Sequence, residues 1–185
     1  IAIIVVFQQE LRRFLILFSA RYLPKAGISI DNFFSKIGTG LPDMNVNGII
    51  KACVSMSKDR VGALIVLQRN SLLDTYVGTG DLLDARTTSR LIESIFNKSG
   101  PLHDGAVIIH QDKIRAACCI LPVSDNFEIP EYYGLRHRAG VGLSEQTDAL
   151  VIIVSEETGG ISLAEAGKLT PVDIKALHKK LEEEF

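Results

Sequence analysis

The chain has 185 residues, 46% of them hydrophobic and 23% charged, the proportions of a globular protein with one substantial buried core rather than of a disordered chain. Its net charge of −2 lacks the basic excess of a general binder of nucleic acid or of a membrane surface, so an anionic ligand must be held by local groups. Cys53, Cys118 and Cys119 have no framework spacing, and the adjacent pair in "AACCIL" reads as small hydrophobes rather than as a disulfide, redox or metal motif.

The stretch "IAIIVVF" (Ile1 to Phe7) is rich in β-branched residues and predicts a buried strand. It is far too short to span a bilayer, and no signal-peptide cleavage pattern follows it. A start at Ile rather than Met leads us to expect a missing upstream segment. "QQELRRFLILFSARYL" places Leu11, Phe14, Leu15 and Phe18 at helical spacing, so a strand and a helix ending at Pro24 fill residues 1–23. Lys25 to Pro42 reads as loop, broken by Gly27, Gly38 and Gly40. Asn45 or Asn47 then caps a helix that carries Ile49, Ile50, Cys53 and Met56 and ends near Asp59.

"VGALIVLQ" (Val61 to Gln68) predicts a central strand, apolar on both faces, followed by a polar loop with Gly78 and Gly80. "TTSRLIESIFNK" predicts a helix capped by Thr87 or Thr88, with Leu91, Ile92, Ile95 and Phe96 as its apolar stripe. "GAVIIH" and "IRAACCIL" flank "QDK" as a hairpin, and a polar stretch runs from Pro122 to Pro130. "YGLRHRAGVGLSEQT" looks helical despite Gly140 and Gly142, residues that weaken a helix but permit close backbone approach. "ALVIIVSEETGGISLA" is strand, turn, strand. "TPVDIKALHKKLEEEF" is a terminal helix over 171–184, with Thr170 at N-cap, Pro171 at N1 and Asp173 at N3. With no repeats and no low-complexity linker, one α/β domain over 1–185 is expected: a central mixed β-sheet flanked by helices.

Three polar clusters abut these elements. In His103-Asp104-Gly105 the glycine admits a ligand to the backbone and the His-Asp pair suits a divalent metal, but a plain turn uses the same residues. Arg136-His137-Arg138 stands at a helix start, where two arginines and free N–H groups make a phosphate site. A solvated basic turn is the alternative, although the helix dipole disfavours cations there and an anion would relieve the conflict. Ser155-Glu156-Glu157-Thr158-Gly159-Gly160 follows an apolar strand, either as a site for phosphate and metal or as a hairpin turn with solvated acids. His110 and His178 read as surface residues, and Tyr132 and Tyr133 as packing residues that could also stack on a base. The P-loop, the dinucleotide fingerprint, the nucleophile elbow and the zinc helix are all absent.

Taken together, "GALIVL", "PLHDGAVII", "LRHRAGVG" and "VSEETGGIS", in this order and spacing, resemble the diadenylate cyclase family, most clearly over residues 61–169 and also in "VVFQQELRR". The arrangement is most similar to the branch in which transmembrane helices precede the catalytic domain. The resemblance implies condensation of two ATP into cyclic di-AMP with a divalent metal, Mg²⁺, Mn²⁺ or Co²⁺, across a face-to-face homodimer. It also implies the cytoplasmic face of a membrane, reached only through the missing N-terminal anchor, and leaves room for a higher oligomer and a regulatory protein partner. Carried over by position, Asp104 would serve the metal and the 3′-hydroxyl, with Gly105 and Ala106 shaping the ribose side and His103 as a further metal contact. Arg136 and Arg138 would support the phosphates, His137 would hold the motif together, Ser155 would touch the triphosphate and Glu156 would lie near the metal. The Leu121 backbone would read adenine, and Gly62, Ala63 and Leu64 would line the base pocket. Leu135 departs from the pattern: many members have Thr there, so a hydroxyl contact is lost or replaced by backbone. The alternative from a different class is a catalytically silent adenine-nucleotide-binding regulatory domain of the same fold.

Overall fold

A computed structural model describes residues 44–126, 129, 130 and 132–185. The strand and helix expected within 1–23, and the whole loop from Lys25 to Pro42, lie outside the described residues. The first element is helix α1 (Val46–Asp59), which Asn45 caps by accepting from the Gly48 N–H, as one of the two expected caps. Strand β1 (Ala63–Leu67) follows and is buried along its whole length. Next come a short helix α2 (Asp74–Val77), strand β2 (Asp81–Arg86) and helix α3 (Ser89–Ile95) with Thr88 as N-cap. The hairpin β3 (Ala106–His110) and β4 (Lys113–Cys119) leads to helix α4 (Leu135–Gln146). Strands β5 (Leu150–Val154), β6 (Ile161–Glu165) and β7 (Lys168–Val172) then lead to helix α5 (Ile174–Glu184).

The seven strands form one mixed sheet in the order β2-β4-β3-β1-β5-β6-β7, an α/β arrangement with helices on both faces. β1 and β3 are parallel and every other neighbouring pair is antiparallel. Because successive side chains alternate, Ala63, Ile65 and Leu67 of β1 pack toward α1, α3 and α5, while Leu64 and Val66 pack toward α4. Each fully buried Ile, Leu or Val of this kind contributes about 1.5–3 kcal/mol, so the central strands anchor the fold.

Two expectations change. The "polar loop" with Gly78 and Gly80 contains α2 and the edge strand β2, and Thr170 and Pro171 lie in the other edge strand, β7. Both edge strands are largely exposed, so neither carries the apolar run that marks a buried strand. β2 is further disguised by an irregularity between Leu82 and Ala85, with Asp84 at φ 44°. The terminal helix therefore begins after Asp173, whose carboxylate caps it by accepting from the Ala176 N–H. Proline is tolerated in β7 because it is an edge strand.

The glycines of α4 act as expected. A Cβ on Gly140 would stand 3.0 Å from the Ile153 side chain, and one on Gly142 only 2.3 Å from the Pro122 carbonyl oxygen. The helix thus lies between the sheet and the segment that follows β4, which is what holds its first turn near the strand ends. Among the described residues no helix is long and apolar enough to cross a membrane.

Candidate functional site

The registers decide where the polar clusters meet. Ile65 lies opposite Val107 in the parallel pair, Ala63 opposite Val154 in β1–β5, Ala106 opposite Cys119 in β3–β4, and Asp81 opposite Ala117 in β2–β4. The starts of β1, β2 and β3 and the ends of β4 and β5 therefore share one margin of the sheet. Gly62, Asp104, Leu121, Ser155 and Glu156, far apart in sequence, are the residues at those strand ends.

On the β1–β5 side the convergence is tight. A Cβ on Gly62 would lie 2.9 Å from an Arg136 guanidinium nitrogen and 3.2 Å from Glu156 Cβ, so a larger residue here would push aside the α4 arginine that crosses the start of β1. Arg136 donates to Glu156 Oε1 at 3.3 Å, while its own Nε is buried without a partner. Glu156 also meets Lys98 Nζ at 3.4 Å. Lys98 was expected only as the last residue of the helix "TTSRLIESIFNK"; that helix ends at Ile95, so Lys98 lies instead in the loop that leads to His103. The Ser155–Gly160 loop closes on itself: Ser155 N–H donates to the Gly160 carbonyl, and Ser155 Oγ accepts from the Thr158 N–H. The Ser57 hydroxyl donates to the Gly159 carbonyl at 2.6 Å and ties this loop to α1.

Helix α4 begins at Leu135 after Gly134, which gives no side-chain cap, so the first N–H groups of the helix are left open. Leu135 is 75% exposed and adds no hydrogen-bonding group to that turn. His137 is buried with its ring 4.6 Å from that of Tyr133, and burial holds its pKa below the usual histidine value. Arg138 donates to the Ile129 carbonyl at 3.4 Å, its one hydrogen bond among the described residues. Tyr132 is exposed against Tyr133, with ring centres 4.5 Å apart.

On the β3–β4 side, Asp104 is exposed directly before the strand. Gly105 has φ 97°, and a Cβ there would stand 2.8 Å from the Cys118 carbonyl carbon, so this position also requires glycine. Burial first, then the charges of Asp81 and Asp104, push the Cys118 thiol pKa up, which places Asp81 in the same neighbourhood. Cys118 is only half-buried, unlike Cys53 and Cys119, whose thiols burial pushes up to about 12 and about 11. The His103 ring is oriented by Nδ1, 2.7 Å from the Gly100 carbonyl. A carbonyl can only accept, so Nδ1 is the donor and Nε2 is the ring nitrogen left facing away from this bond.

Gly62, Arg136 and Glu156 are thus in mutual contact. Asp104 and His103 share their margin of the sheet without a direct bond to them. Ala63 and Leu64 are buried on opposite faces of β1, and Ala106 and Leu121 are buried at the ends of the hairpin strands. Among the described residues no group of three or more His, Cys, Asp or Glu is gathered to hold a metal ion. One exposed carboxylate with a free imidazole nitrogen beside it nevertheless suits a divalent cation whose remaining ligands come from a substrate's phosphates.

Residues 50–169 match the family DAC, described as DisA bacterial checkpoint controller nucleotide-binding. The chain belongs to the DAC family of diadenylate cyclases. The whole chain aligns at 43% identity with cyclic di-AMP synthase CdaA of Bacillus subtilis and at 41% with a diadenylate cyclase of Listeria monocytogenes, spanning 66% of the length of each. A double mutant of DacA from Staphylococcus aureus superposes with a TM-score of 0.74 at 42% identity, covering 75% of this chain and 93% of that one. A hypothetical membrane spanning protein from Bacillus cereus gives a TM-score of 0.69 at 39% identity, over 77% of this chain and 70% of that one. The mixed sheet with its two helical layers is thus the fold shared with these DAC relatives, and the margin described above lies within the matched residues.

Proposed function

We propose that this chain is a diadenylate cyclase domain that joins two ATP molecules into cyclic di-AMP and releases two pyrophosphates. The observation that carries the reading is the convergence of Asp104, Gly62, Arg136 and Glu156 on one margin of the sheet, in a chain of the DAC family. In this reaction each 3′-hydroxyl attacks the α-phosphorus of the other nucleotide. Two new O–P bonds form and two phosphoanhydride bonds break. Little covalent work falls to the protein; it must position two reactants and balance their charge.

Arg136 has an unpartnered buried Nε, and with the open N–H groups of the first turn of α4 it presents donors to phosphate oxygens. Arg138 and the Ser155 hydroxyl extend that set. His137, packed on Tyr133, fixes the turn that carries both arginines. With Leu135 in place of a hydroxyl residue, the backbone N–H groups serve the phosphates there. Asp104 stands exposed on the loop that leads into β3, where it orients the attacking 3′-hydroxyl and takes up its proton, and Gly105 and Ala106 give the ribose room. The Leu121 backbone, with Gly62, Ala63 and Leu64, borders the base. A bound Mg²⁺, Mn²⁺ or Co²⁺ would supply charge neutralisation at the phosphates; Asp104 and His103 would hold it together with phosphate oxygens, whereas Glu156, facing Arg136 and Lys98, is not gathered with them.

One set of residues makes both bonds of the ring if two copies face each other across a two-fold axis, so activity requires the homodimer. In the longer protein we place the domain at the cytoplasmic face of a membrane, on an N-terminal anchor. Incubation of the chain with ATP and Mg²⁺, Mn²⁺ or Co²⁺, followed by chromatography, is expected to yield cyclic di-AMP at a rate that rises with the square of protein concentration where monomer predominates. Absence of the product with all of these metals, at concentrations where dimer is measured, overturns the enzyme reading. Retained ATP binding without product would favour the silent regulatory domain.

A further inference from the structure

The two halves of the candidate site are carried on different loops. Asp104 sits on the loop between α3 and β3, and Glu156 on the loop after β5. One side-chain contact joins them: Lys98, five positions before His103, places Nζ 3.4 Å from Glu156 Oε2. The other Glu156 oxygen faces Arg136 at 3.3 Å. Glu156 is therefore gripped from two sides by cations that come from different elements.

We propose that Lys98 is a positioning residue of this site, a role that rests on the nucleotide reading above. It works in two ways, and both act through Glu156. It faces the loop bearing Ser155 from the loop bearing Asp104, which keeps one Glu156 oxygen turned away from the phosphate donors. It also sets the sign of the field: Arg136, Glu156 and Lys98 together carry one net positive charge, whereas without Lys98 the group is neutral and Glu156 repels an incoming triphosphate. The Lys98 side chain is 59% exposed, so as a stabilising ion pair it is worth little. Its value lies in where it directs charge, at a margin that must receive a polyanion.

The test separates this role from the reaction itself. Binding of α,β-methylene-ATP, which cannot be cleaved at the reacting bond, is measured by calorimetry, and turnover of ATP is followed independently. Lys98→Met is expected to weaken analogue binding about three- to tenfold, with a matching rise in KM for ATP and kcat within about twofold. Lys98→Arg should restore binding, the Met defect should shrink at high salt, and the melting temperature should stay unchanged in both variants. Unchanged analogue affinity in Lys98→Met overturns the role, as does a defect that Arg does not rescue. If the wild-type chain binds the analogue but makes no cyclic di-AMP, the cyclase reading fails while the binding comparison still decides Lys98. Lack of any binding to the wild-type chain sinks both.

Discussion

The cluster around Arg69 and the candidate site, at opposite margins of the sheet, treat charge in opposite ways. At the margin away from the candidate site, Arg69 donates to the Asp148 carbonyl, to Glu165 at 2.8 Å and to Glu184, while Lys180 closes on Glu165 at 2.8 Å. Asp148 accepts the N–H groups of Asn70 and Ser71. Burial alone would raise the pKa values of Asp148 and Glu165; these donors instead hold both below the ordinary range. At the site margin the same residue types are left unfinished. Asp104 is exposed, Arg136 Nε has no partner, Arg138 reaches one carbonyl at 3.4 Å, and both Glu156 contacts are 3.3–3.4 Å long. Around Arg69 the charge is saturated by the fold, whereas at the site margin it is left available to a ligand; the far margin is not closed throughout, since His110 Nδ1 and Asp112 Oδ1 at the β3–β4 turn are also buried without a partner among the described residues.

The widest separation between the margins should come from Asp104→Asn. The carboxylate is exposed before a rigid strand, so its loss should lower cyclic di-AMP formation by about a hundredfold or more and leave the thermal melt in place. A variant of near-wild-type activity would remove Asp104 from the chemistry. Arg69→Met is the reciprocal experiment. It strands Glu165 and Glu184 around Lys180 and should destabilise the chain by about 1–3 kcal/mol in urea titration. Turnover per folded molecule should be unaffected. A large loss of activity at unchanged stability would show that the two margins are not independent.

How far the sequence revealed this arrangement follows from burial. β1, β3, β4, β5 and β6 were legible because they are apolar on one or both faces, and Thr88 and Asn45 were legible as caps of α3 and α1. β2 and β7 were not, because an edge strand is specified mainly by backbone pairing with its neighbour, and "DLLDAR" and "KLTPV" carry no apolar pattern. Asp173 was read three positions too far into the helix because Pro171 is equally at home at a helix start and in an edge strand. At the site, "HDG", "RHR" and "SEE" were visible as clusters, and the glycine at 105 as a place of close approach. Which clusters touch depends on strand order and register, which no local pattern contains. The Arg136–Glu156 pair follows from Ala63 lying opposite Val154, and the Lys98 contact from a loop whose sequence says only that it is polar.

The finest difference between the margins is the pH at which each loses stability. His137, buried under Tyr133 beside the site arginines, has its folded pKa lowered by burial from 6.5. Between that lowered value and 6.5 the unfolded chain binds the extra proton, so stability is complete above about 6.5 and declines as the pH falls through this window. Asp148 and Glu165 also have lowered folded values, from 3.8 and 4.5, but for carboxylates this contribution is complete above those values and is lost only in more acidic solution. Urea midpoints measured from pH 8 to pH 3 should therefore show a shallow decline beginning near 6.5 and a steeper one below about 4.5. His137→Phe should flatten the first and leave the second, and Arg69→Met should do the reverse. A single acid limb unchanged by His137→Phe would mean that the imidazole titrates alike in the folded and unfolded chain, and that its burial at the start of α4 carries no energetic weight.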